Sequence, residues 1–445
     1  MMRIRQSQLA IVSSGLALLL AACTHNAATP GFTTLPVQPP IHDQGIIKHV
    51  IIIVQENRSF DNLFNGFPGA DTVSSGSAHG TNVPLAPVPL ENGLDVGHSH
   101  GDFVASYHNG SLDGFVDEKT FKIVGGVYTP VAGPPNYAYA FVPQTETQPY
   151  WSLASQFTVA DRMFQSNTGP SFPAHQYLIA AQSSMADEVP SGIPWGCDAP
   201  VGTTVAQLQA DGTDSKGVFP CFDYQTLGDE MDAAGITWRF YAPGMGTTGY
   251  IFNAYDAVRH IRFGADWATN DISPETSILT DISGGTLSQV SWVIPSFVNS
   301  DHVLASSNTG PQWVASIVDA VGASQYWNDT AILITWDDWG GWYDHVSPPQ
   351  LDPMGLGFRV PLLVVSPFAR HGYVSHVDHE FGSLLHFTEA TFSLSPLGSV
   401  DARADELTDC FDFTQAVTPL QPVATKMRPI DFMNQRRTLD PPDPD

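Results

Sequence analysis

The run His49-Val50-Ile51-Ile52-Ile53-Val54 decides the fold class. A short, continuous stretch of β-branched residues is typical of a strand that is buried on both faces. Two further runs of this kind cover 330–335 and 360–365, and weaker ones cover 237–241 and 289–294. The sequence therefore predicts several buried strands of one central sheet.

Helical patterns lie between some of these runs, at 225–234, 310–321 and 379–392. Strands that alternate with helices predict an α/β fold with a mostly parallel central sheet and helices on both faces. The chain also contains 38 Gly and 35 Pro, which favours long loop insertions around the scaffold.

The charge balance excludes one class of partner. The 445 residues include 45 acidic and 18 basic side chains, a formal net charge of −27. Because a protein that binds nucleic acid needs a basic surface, we expect no nucleic-acid partner.

The N-terminus indicates export. Arg3 and Arg5 precede an apolar run at 9–22 that is too short to span a bilayer, which is typical of a signal peptide over 1–22. The run ends in Leu-Ala-Ala-Cys23, which resembles a bacterial lipobox, and the resemblance implies lipidation of Cys23. The prediction is a cell-envelope lipoprotein that contacts the membrane through its N-terminal lipid. The alternative is plain secretion after cleavage near Ala22.

The rest of the chain divides by composition. Residues 23–41 are rich in Thr, Pro and Ala and are predicted to form a flexible tether. A catalytic domain is expected over 42–430 and a disordered tail over 431–445. In an oxidising compartment Cys197 and Cys221, which flank one loop, are expected to form a disulfide, with Cys410 left free.

Acidic and amide side chains follow two of the predicted strands. Glu56 and Asn57 come after the first run, and Asp337 and Asp338 come after the run at 330–335. Ligands of open α/β sheets bind outside the carboxyl ends of the strands. Carboxylate and amide oxygens suit a divalent metal, although the first pair also fits a turn that caps a helix. Two adjacent carboxylates at a strand end favour the metal, because a cation lowers the cost of burying them.

Ser171 and three histidines complete the set of candidates. Ser171 lies between Pro170 and Pro173 ahead of a helical stretch, where backbone N–H groups favour an anion; a simple capping turn is the alternative. The histidines sit in polar surroundings, where each is either a hydrogen-bonded loop residue or functional: His98, His302 and His345.

These pieces, taken in order, resemble one known family. The matching stretches are 55–61 (Gln-Glu-Asn-Arg-Ser-Phe-Asp), 109–115, 167–173, 335–349 and 359–367. In this order and at this separation they resemble the bacterial phosphoesterase family, which contains phospholipases C and related acid phosphatases. The resemblance runs from about Lys48 to Leu397.

The resemblance implies a fold, a cofactor and a site. It implies an alkaline-phosphatase-like α/β fold and a hydrolase that acts on ester bonds of a small-molecule or lipid phosphate ester. It implies a divalent metal ion (Mg, Ca, Mn or Zn) held by Glu56, Asn57, Asp337 and Asp338. Ser171 takes the position of the nucleophile that forms a phosphoserine. His98 and His302 are expected to contact phosphate or to protonate the leaving group. His345 is expected to contact the metal ligands without binding the metal itself.

Three departures from the family pattern bear on the substrate. Asp338, Ser171 and His175 stand where phospholipase members often have Glu, Thr and Arg. The prediction is therefore an acid-phosphatase-like enzyme, with phospholipase C activity on phosphodiester head groups as the alternative. A more distant alternative is a non-catalytic envelope lipoprotein. A sulfatase is disfavoured, because sulfatases need a Cys/Ser-x-Pro-x-Arg motif. The corresponding stretch of this chain, 171–175, has His175 in place of the Arg.

Overall fold

The computed structural model describes residues 45–210, 212–305 and 307–436. The predicted signal peptide, the lipidation site at Cys23 and the tether lie outside the described residues. Within them, no helix has the length and apolar character that crossing a membrane requires.

The centre of the described chain is a sheet of eight strands. Its strands are β1 (His49–Gln55), β2 (Thr158–Ala160), β3 (Trp238–Tyr241), β4 (Asp271–Ile272), β5 (Val290–Val293), β6 (Thr330–Trp336), β7 (Leu362–Val365) and β8 (Tyr373–Ser375). They lie in the order β4-β3-β5-β1-β6-β7-β2-β8. β1 occupies an interior position and pairs in parallel with β5 and β6. All five strand runs that the sequence predicts are strands of this sheet.

The sheet is mixed, and this corrects the prediction in one respect. β7 runs antiparallel to both of its neighbours, β6 and β2, while the other pairs are parallel. The physical reason lies in the connection from β6 to β7. A parallel pairing needs a crossover, usually a helix, whereas the segment at 337–361 contains no helix and returns the chain directly.

Helices cover the sheet. The longer helices are α1 (His100–Tyr107), α2 (Gln144–Gln156), α3 (Ser171–Ala180), α4 (Leu227–Ala234), α5 (Ser277–Gly284), α6 (Gly310–Gly322) and α7 (Phe381–Phe392). Short helices span Phe60–Phe64, Arg259–Arg262, Ala265–Asn270 and Pro429–Met433. α6 contacts α2 and α5, and α3 contacts α4 and α7, which gives two separate groups. Because residues 50–54 of β1 are completely buried, both faces of the sheet are covered, and the predicted α/β class is confirmed.

Smaller strands form the loop insertions. They span Ser75–Ala78, Thr81–Pro84, Ala86–Pro87, Asp95–Val96, Thr120–Val124, Val127–Val131, Ala140–Phe141, Met163–Phe164 and His379–Glu380. A disulfide joins Cys197 to Cys221 in another insertion, and Cys410 is a buried free thiol.

The folded chain extends past the predicted boundary at residue 430. The helix Pro429–Met433 places Phe432 against Trp313 of α6, with the ring centroids 5.3 Å apart. Phe432 is buried, so the prediction of disorder is wrong for residues 431–433. The physical reason is that one aromatic side chain in the tail finds an apolar surface on α6. Residues 437–445 lie outside the described part.

Candidate active site

Two neighbouring strands bring the two acidic motifs together. Gln55 at the end of β1 pairs with Trp336 at the end of β6, so the residues that follow leave the sheet side by side. The backbone N–H of Asp337 donates to Gln55 O at 2.9 Å. The backbone N–H of Asn57 donates to Asp337 Oδ1 at 2.9 Å across a separation of 280 residues. The structure thus places the motifs at one edge of the sheet, as the sequence predicts.

A cluster of two carboxylates and one imidazole lies at this edge. Ligand-type atoms of Glu56, His175 and Asp337 all lie within 4.8 Å of one another. His175 Nε2 is 3.2 Å from Glu56 Oε1 and 3.7 Å from Asp337 Oδ2. All three side chains are buried. We call Glu56, His175, Asp337 and the adjacent Asn57 and Asp338 the acidic centre.

Helix α3 carries Ser171 and His175 to the acidic centre. Ser171 is the first residue of the helix, and its hydroxyl donates to Asp338 Oδ2 at 3.2 Å. Residues four apart on a helix lie on the same face, which explains why His175 also reaches the acidic centre. Sequence reasoning counted His175 only as a departure from the family pattern; its i+4 spacing from Ser171 was the signal that could have found it.

A chain of contacts fixes the orientation of Asn57. His98 Nδ1 lies 2.7 Å from Val96 O, so this nitrogen carries the proton and Nε2 is an acceptor. Asn57 Nδ2 donates to that His98 Nε2 at 2.9 Å. The same Nδ2 lies 3.2 Å from His302 Nε2. The two predicted histidines therefore flank Asn57. Its φ of 59° is in the left-handed region, which Asn tolerates better than most residues.

The acidic centre contains buried oxygen atoms that need a positive partner. Among the described residues, Asn57 Oδ1 and Asp337 Oδ2 are buried and receive no hydrogen bond. Glu56, Asp337 and Asp338 are all completely buried and adjacent. Burying carboxylates is costly unless a charge or hydrogen bond compensates. This arrangement suits a cation.

His345 lies in a different network. Its Nδ1 is 2.6 Å from Asp61 Oδ2, and Asp344 is adjacent. The guanidinium of Arg359 fills this second cluster, with Nε 2.8 Å from Asp344 Oδ1. Burial opposes the charge of Arg359, but the carboxylates of Asp344 and Asp61 outweigh it and raise its pKa above the ordinary value. The structure shows no hydrogen bond from the described atoms of His345 to the acidic centre. His345 instead belongs to the set of contacts that ties the loop after β1 to the loop after β6.

Aromatic rings lie against the three histidines at the acidic centre. Phe252 stacks on His175 with ring centroids 5.5 Å apart, and Phe297 lies 5.0 Å from His302. Trp339 meets His98 edge to face at 6.1 Å. Low polarity around a charged site strengthens its electrostatic interactions.

Comparisons with known proteins identify the family of this chain. The model of the Phosphoesterase family matches residues 47–395. Phospholipase C B of Mycobacterium tuberculosis is 25% identical over 84% of this chain and 80% of that protein. Hemolytic phospholipase C of Pseudomonas aeruginosa is 26% identical over 86% of this chain and 58% of that protein. Non-specific phospholipase C6 of Arabidopsis thaliana is 25% identical over 74% of this chain and 64% of that protein.

Solved structures also show a likeness to this chain. A protein in the alkaline phosphatase superfamily from Vibrio parahaemolyticus matches with a TM-score of 0.37 and 12% identity, over 83% of this chain and 72% of that chain. The family match spans most of the chain and includes both acidic motifs and Ser171. The chain therefore belongs to the phosphoesterase family and is a phosphoester hydrolase.

Proposed function

We propose that this hydrolase is a metal-dependent phosphatase that forms a phosphoserine at Ser171 and prefers phosphomonoesters. The observation that carries the proposal is the hydrogen bond of 3.2 Å from Ser171 Oγ to Asp338 Oδ2, beside the cluster of Glu56, His175 and Asp337. A hydroxyl at the start of a helix and a group of carboxylates at one sheet edge are the parts that phosphoryl transfer needs.

The residues of the acidic centre fit a divalent metal ion. Asn57 Oδ1 and Asp337 Oδ2 are buried oxygens without a hydrogen-bond donor among the described residues, and Glu56 and Asp338 add carboxylates. Oxygen ligands suit Mg²⁺, Ca²⁺ or Mn²⁺, while the nearby imidazole of His175 also suits Zn²⁺. A metal ion held there would neutralise charge on the phosphate oxygens and lower the pKa of the Ser171 hydroxyl.

The residues of the chain then have distinct roles. Ser171 Oγ forms a bond to phosphorus and gives its proton to Asp338 Oδ2, as the bond from phosphorus to the leaving oxygen breaks. Before attack, Asp338 Oδ2 accepts the hydrogen of Ser171 and so directs an oxygen lone pair of the serine away from the carboxylate. His98 holds Asn57 Nδ2, which fixes the amide and leaves its Oδ1 for a cation. Water then attacks phosphorus, the bond from phosphorus to Ser171 Oγ breaks, and inorganic phosphate leaves as the serine regains its proton.

The hydrogen bonds of the two histidines separate their roles. His302 Nδ1 accepts the backbone N–H of Leu304 at 3.3 Å. In the neutral ring the proton is therefore on Nε2, and the 3.2 Å contact of this nitrogen with Asn57 Nδ2 is then a contact between two donors and not a hydrogen bond. His98 has the opposite tautomer, with its proton directed at Val96 O. His302 is thus the group that can protonate the leaving oxygen, and His98 is a positioning residue.

Replacing His302 by alanine is expected to affect poor leaving groups most. A nitrophenolate leaves without protonation, whereas an alkoxide needs an acid, and general acid catalysis contributes roughly 10²–10⁴-fold. We expect the loss of kcat to be at least about tenfold larger for glycerol phosphate than for p-nitrophenyl phosphate. Steady-state kinetics on both substrates measure this ratio. His98→Ala is the matched control and should lower both rates by similar factors. An equal loss for both substrates with His302→Ala would assign the acid to another group.

Phospholipase C activity is the second candidate. The three curated relatives described above are phospholipases C by name, which favours cleavage of phosphodiester head groups. Against it, Asp338, Ser171 and His175 replace the Glu, Thr and Arg that phospholipase members of the family often have. The enclosure of the acidic centre by Phe252, Phe297 and Trp339 also favours a substrate with one substituent on phosphorus.

A substrate panel with defined metals tests the proposed function. The full chain is treated with a chelator, dialysed and assayed with p-nitrophenyl phosphate and p-nitrophenylphosphorylcholine after addition of Mg²⁺, Ca²⁺, Mn²⁺ or Zn²⁺. We expect negligible activity after chelation, recovery with at least one metal, and a higher kcat/KM for the monoester. Higher kcat/KM for the diester would support phospholipase C instead. Full activity without metal would contradict the metal requirement.

A further inference from the structure

A further group of side chains that could hold a metal ion shares no residue with the acidic centre. It consists of His79, which follows the strand Ser75–Ala78, and of His108 and Asp113, which follow helix α1. One ligand-type atom from each of these three residues lies within 4.8 Å of the others. The two imidazole rings are nearly perpendicular, with centroids 5.7 Å apart. We call these three residues the histidine cluster.

The ligand set contains two imidazoles and carboxylates. His108 Nδ1 lies 2.6 Å from Asp113 Oδ1, and His79 Nε2 lies 2.7 Å from Asp117 Oδ2. A fourth potential ligand, Asp117, therefore lies next to the cluster.

Local backbone contacts keep the two segments together. The backbone N–H of His79 donates to Asp113 O at 3.1 Å. Ser111 Oγ donates to both His108 O and Asp113 Oδ1, at 2.8 and 2.6 Å. Each segment is thus held in place by contacts that a metal would not replace, which reduces the entropy cost of assembling ligands.

We propose that His79, His108 and Asp113 form a second metal site that binds Zn²⁺. Two imidazoles with one carboxylate are a common zinc donor set, whereas Mg²⁺ and Ca²⁺ prefer sites made of oxygen alone. This site is separate from the acidic centre, and the proposal does not depend on the metal or the substrate of that centre.

The spacing is within reach of a zinc site. Bonds of about 2.0–2.1 Å in a tetrahedron place neighbouring ligand atoms roughly 3.3 Å apart. The ligand atoms lie within 4.8 Å of one another, and the side chains of His79 and His108 are each 51% exposed, so rotation about their side-chain bonds can bring the atoms to tetrahedral spacing. Zn²⁺ would replace the present imidazole–carboxylate hydrogen bonds with coordination bonds.

The site has a structural consequence. The segment after His108 leads to Phe115, which packs against Tyr343 and Phe358 at ring distances of 5.0 and 4.9 Å. Tyr343 belongs to the loop that carries Asp337 and Asp338. A bound zinc ion would therefore link the strand hairpin that contains His79 to the segment from His108 to Phe115, which packs on this loop. Binding to the folded state alone would also raise the stability of the folded chain.

Zinc content measures the site directly. The full chain is loaded with ZnCl₂, dialysed at pH 7.5 and analysed by atomic emission for zinc per chain. We expect the natural chain to retain one more zinc ion than the double variant His79→Ala/His108→Ala. Repeating the comparison in an Asp337→Asn background separates this zinc from any at the acidic centre, and the difference of one should persist there.

A matched control is available on the surface. His260 lies between Asp223 and Asp229, at 2.7 and 2.9 Å, but forms no such cluster with a second described histidine. His260→Ala should therefore leave the zinc content unchanged. Asp113→Asn, which preserves the shape of the side chain, should weaken zinc retention and guards against misfolding of the double variant. Equal zinc content in the natural chain, the double variant and Asp113→Asn would overturn the proposal, as would an equal loss with His260→Ala.

Discussion

Replacing Ser171 by alanine is expected to lower kcat by several orders of magnitude while the fold persists. Deletion of a covalent nucleophile has effects on this scale, because the reaction loses its first step. The side chain is small and buried at the start of α3, and its one hydrogen bond in the structure goes to Asp338, so the packing of the helix should survive. The kcat for p-nitrophenyl phosphate and the circular dichroism spectrum of the variant measure the two parts of this prediction.

A second buried serine provides the control. Ser166 Oγ donates to Glu380 Oε2 at 2.9 Å, so it is also a buried serine bonded to a carboxylate. Ser166→Ala should keep kcat within about tenfold of the natural chain, a difference below roughly 1.4 kcal/mol. If Ser171→Ala also retains more than about a tenth of kcat, the covalent route is wrong. Transfer of the phosphoryl group from the natural enzyme to added glycerol would support the phosphoserine independently.

Replacing Arg359 by alanine is expected to lower the free energy of unfolding by about 3–5 kcal/mol. Arg359 is completely buried, and its Nε and Nη2 bond Asp344 Oδ1 and Oδ2 at 2.8 and 3.1 Å. Its Nη2 is also 3.4 Å from Asp61 Oδ1. Removal of the guanidinium leaves two adjacent buried carboxylates without their cation, which is costly. Urea unfolding followed by fluorescence measures the loss.

The loss in free energy of unfolding distinguishes an effect of burying the ion pairs from an effect of ion pairing alone. Arg403 also bonds two carboxylates, Glu380 and Asp352, but its side chain is 28% exposed. Arg403→Ala should therefore cost less than Arg359→Ala. Arg359→Lys should recover only part of the stability, because an ammonium group cannot reproduce the two parallel bonds to Asp344. Equal losses at Arg359 and Arg403 would contradict the role assigned to the buried network.

Local patterns in the sequence predicted five of the eight strands and the position of the acidic motifs. Continuous β-branched runs record burial on both faces, so the run at 49–54 was recognisable without its partners. The convergence of Glu56 and Asp337 followed from a general rule, since both residues follow parallel strands and such strands end at one edge. Ser171 was recognisable from its family motif.

Other features were decided by contacts between distant segments. Burial alone does not encode strand direction, and β7 is antiparallel because no helix precedes it. The rotation of helix α3 over the sheet determines that His175 meets Glu56, although the spacing of His175 from Ser171 is local. His345 follows Asp344 in the sequence, yet Arg359 and Asp61 decide its environment.

The difference between features that local sequence predicts and features that distant contacts decide follows from the range of the forces. Side-chain periodicity and turn residues act over a few positions, so local sequence was enough to predict the α/β class, five of the eight strands of the sheet and the two acidic motifs. The choice among possible partners for a charged side chain depends on which segments fold against it. Contacts between distant segments therefore bring His175 to the acidic centre, place Arg359 in the neighbouring acidic cluster, and bring His79 close to His108.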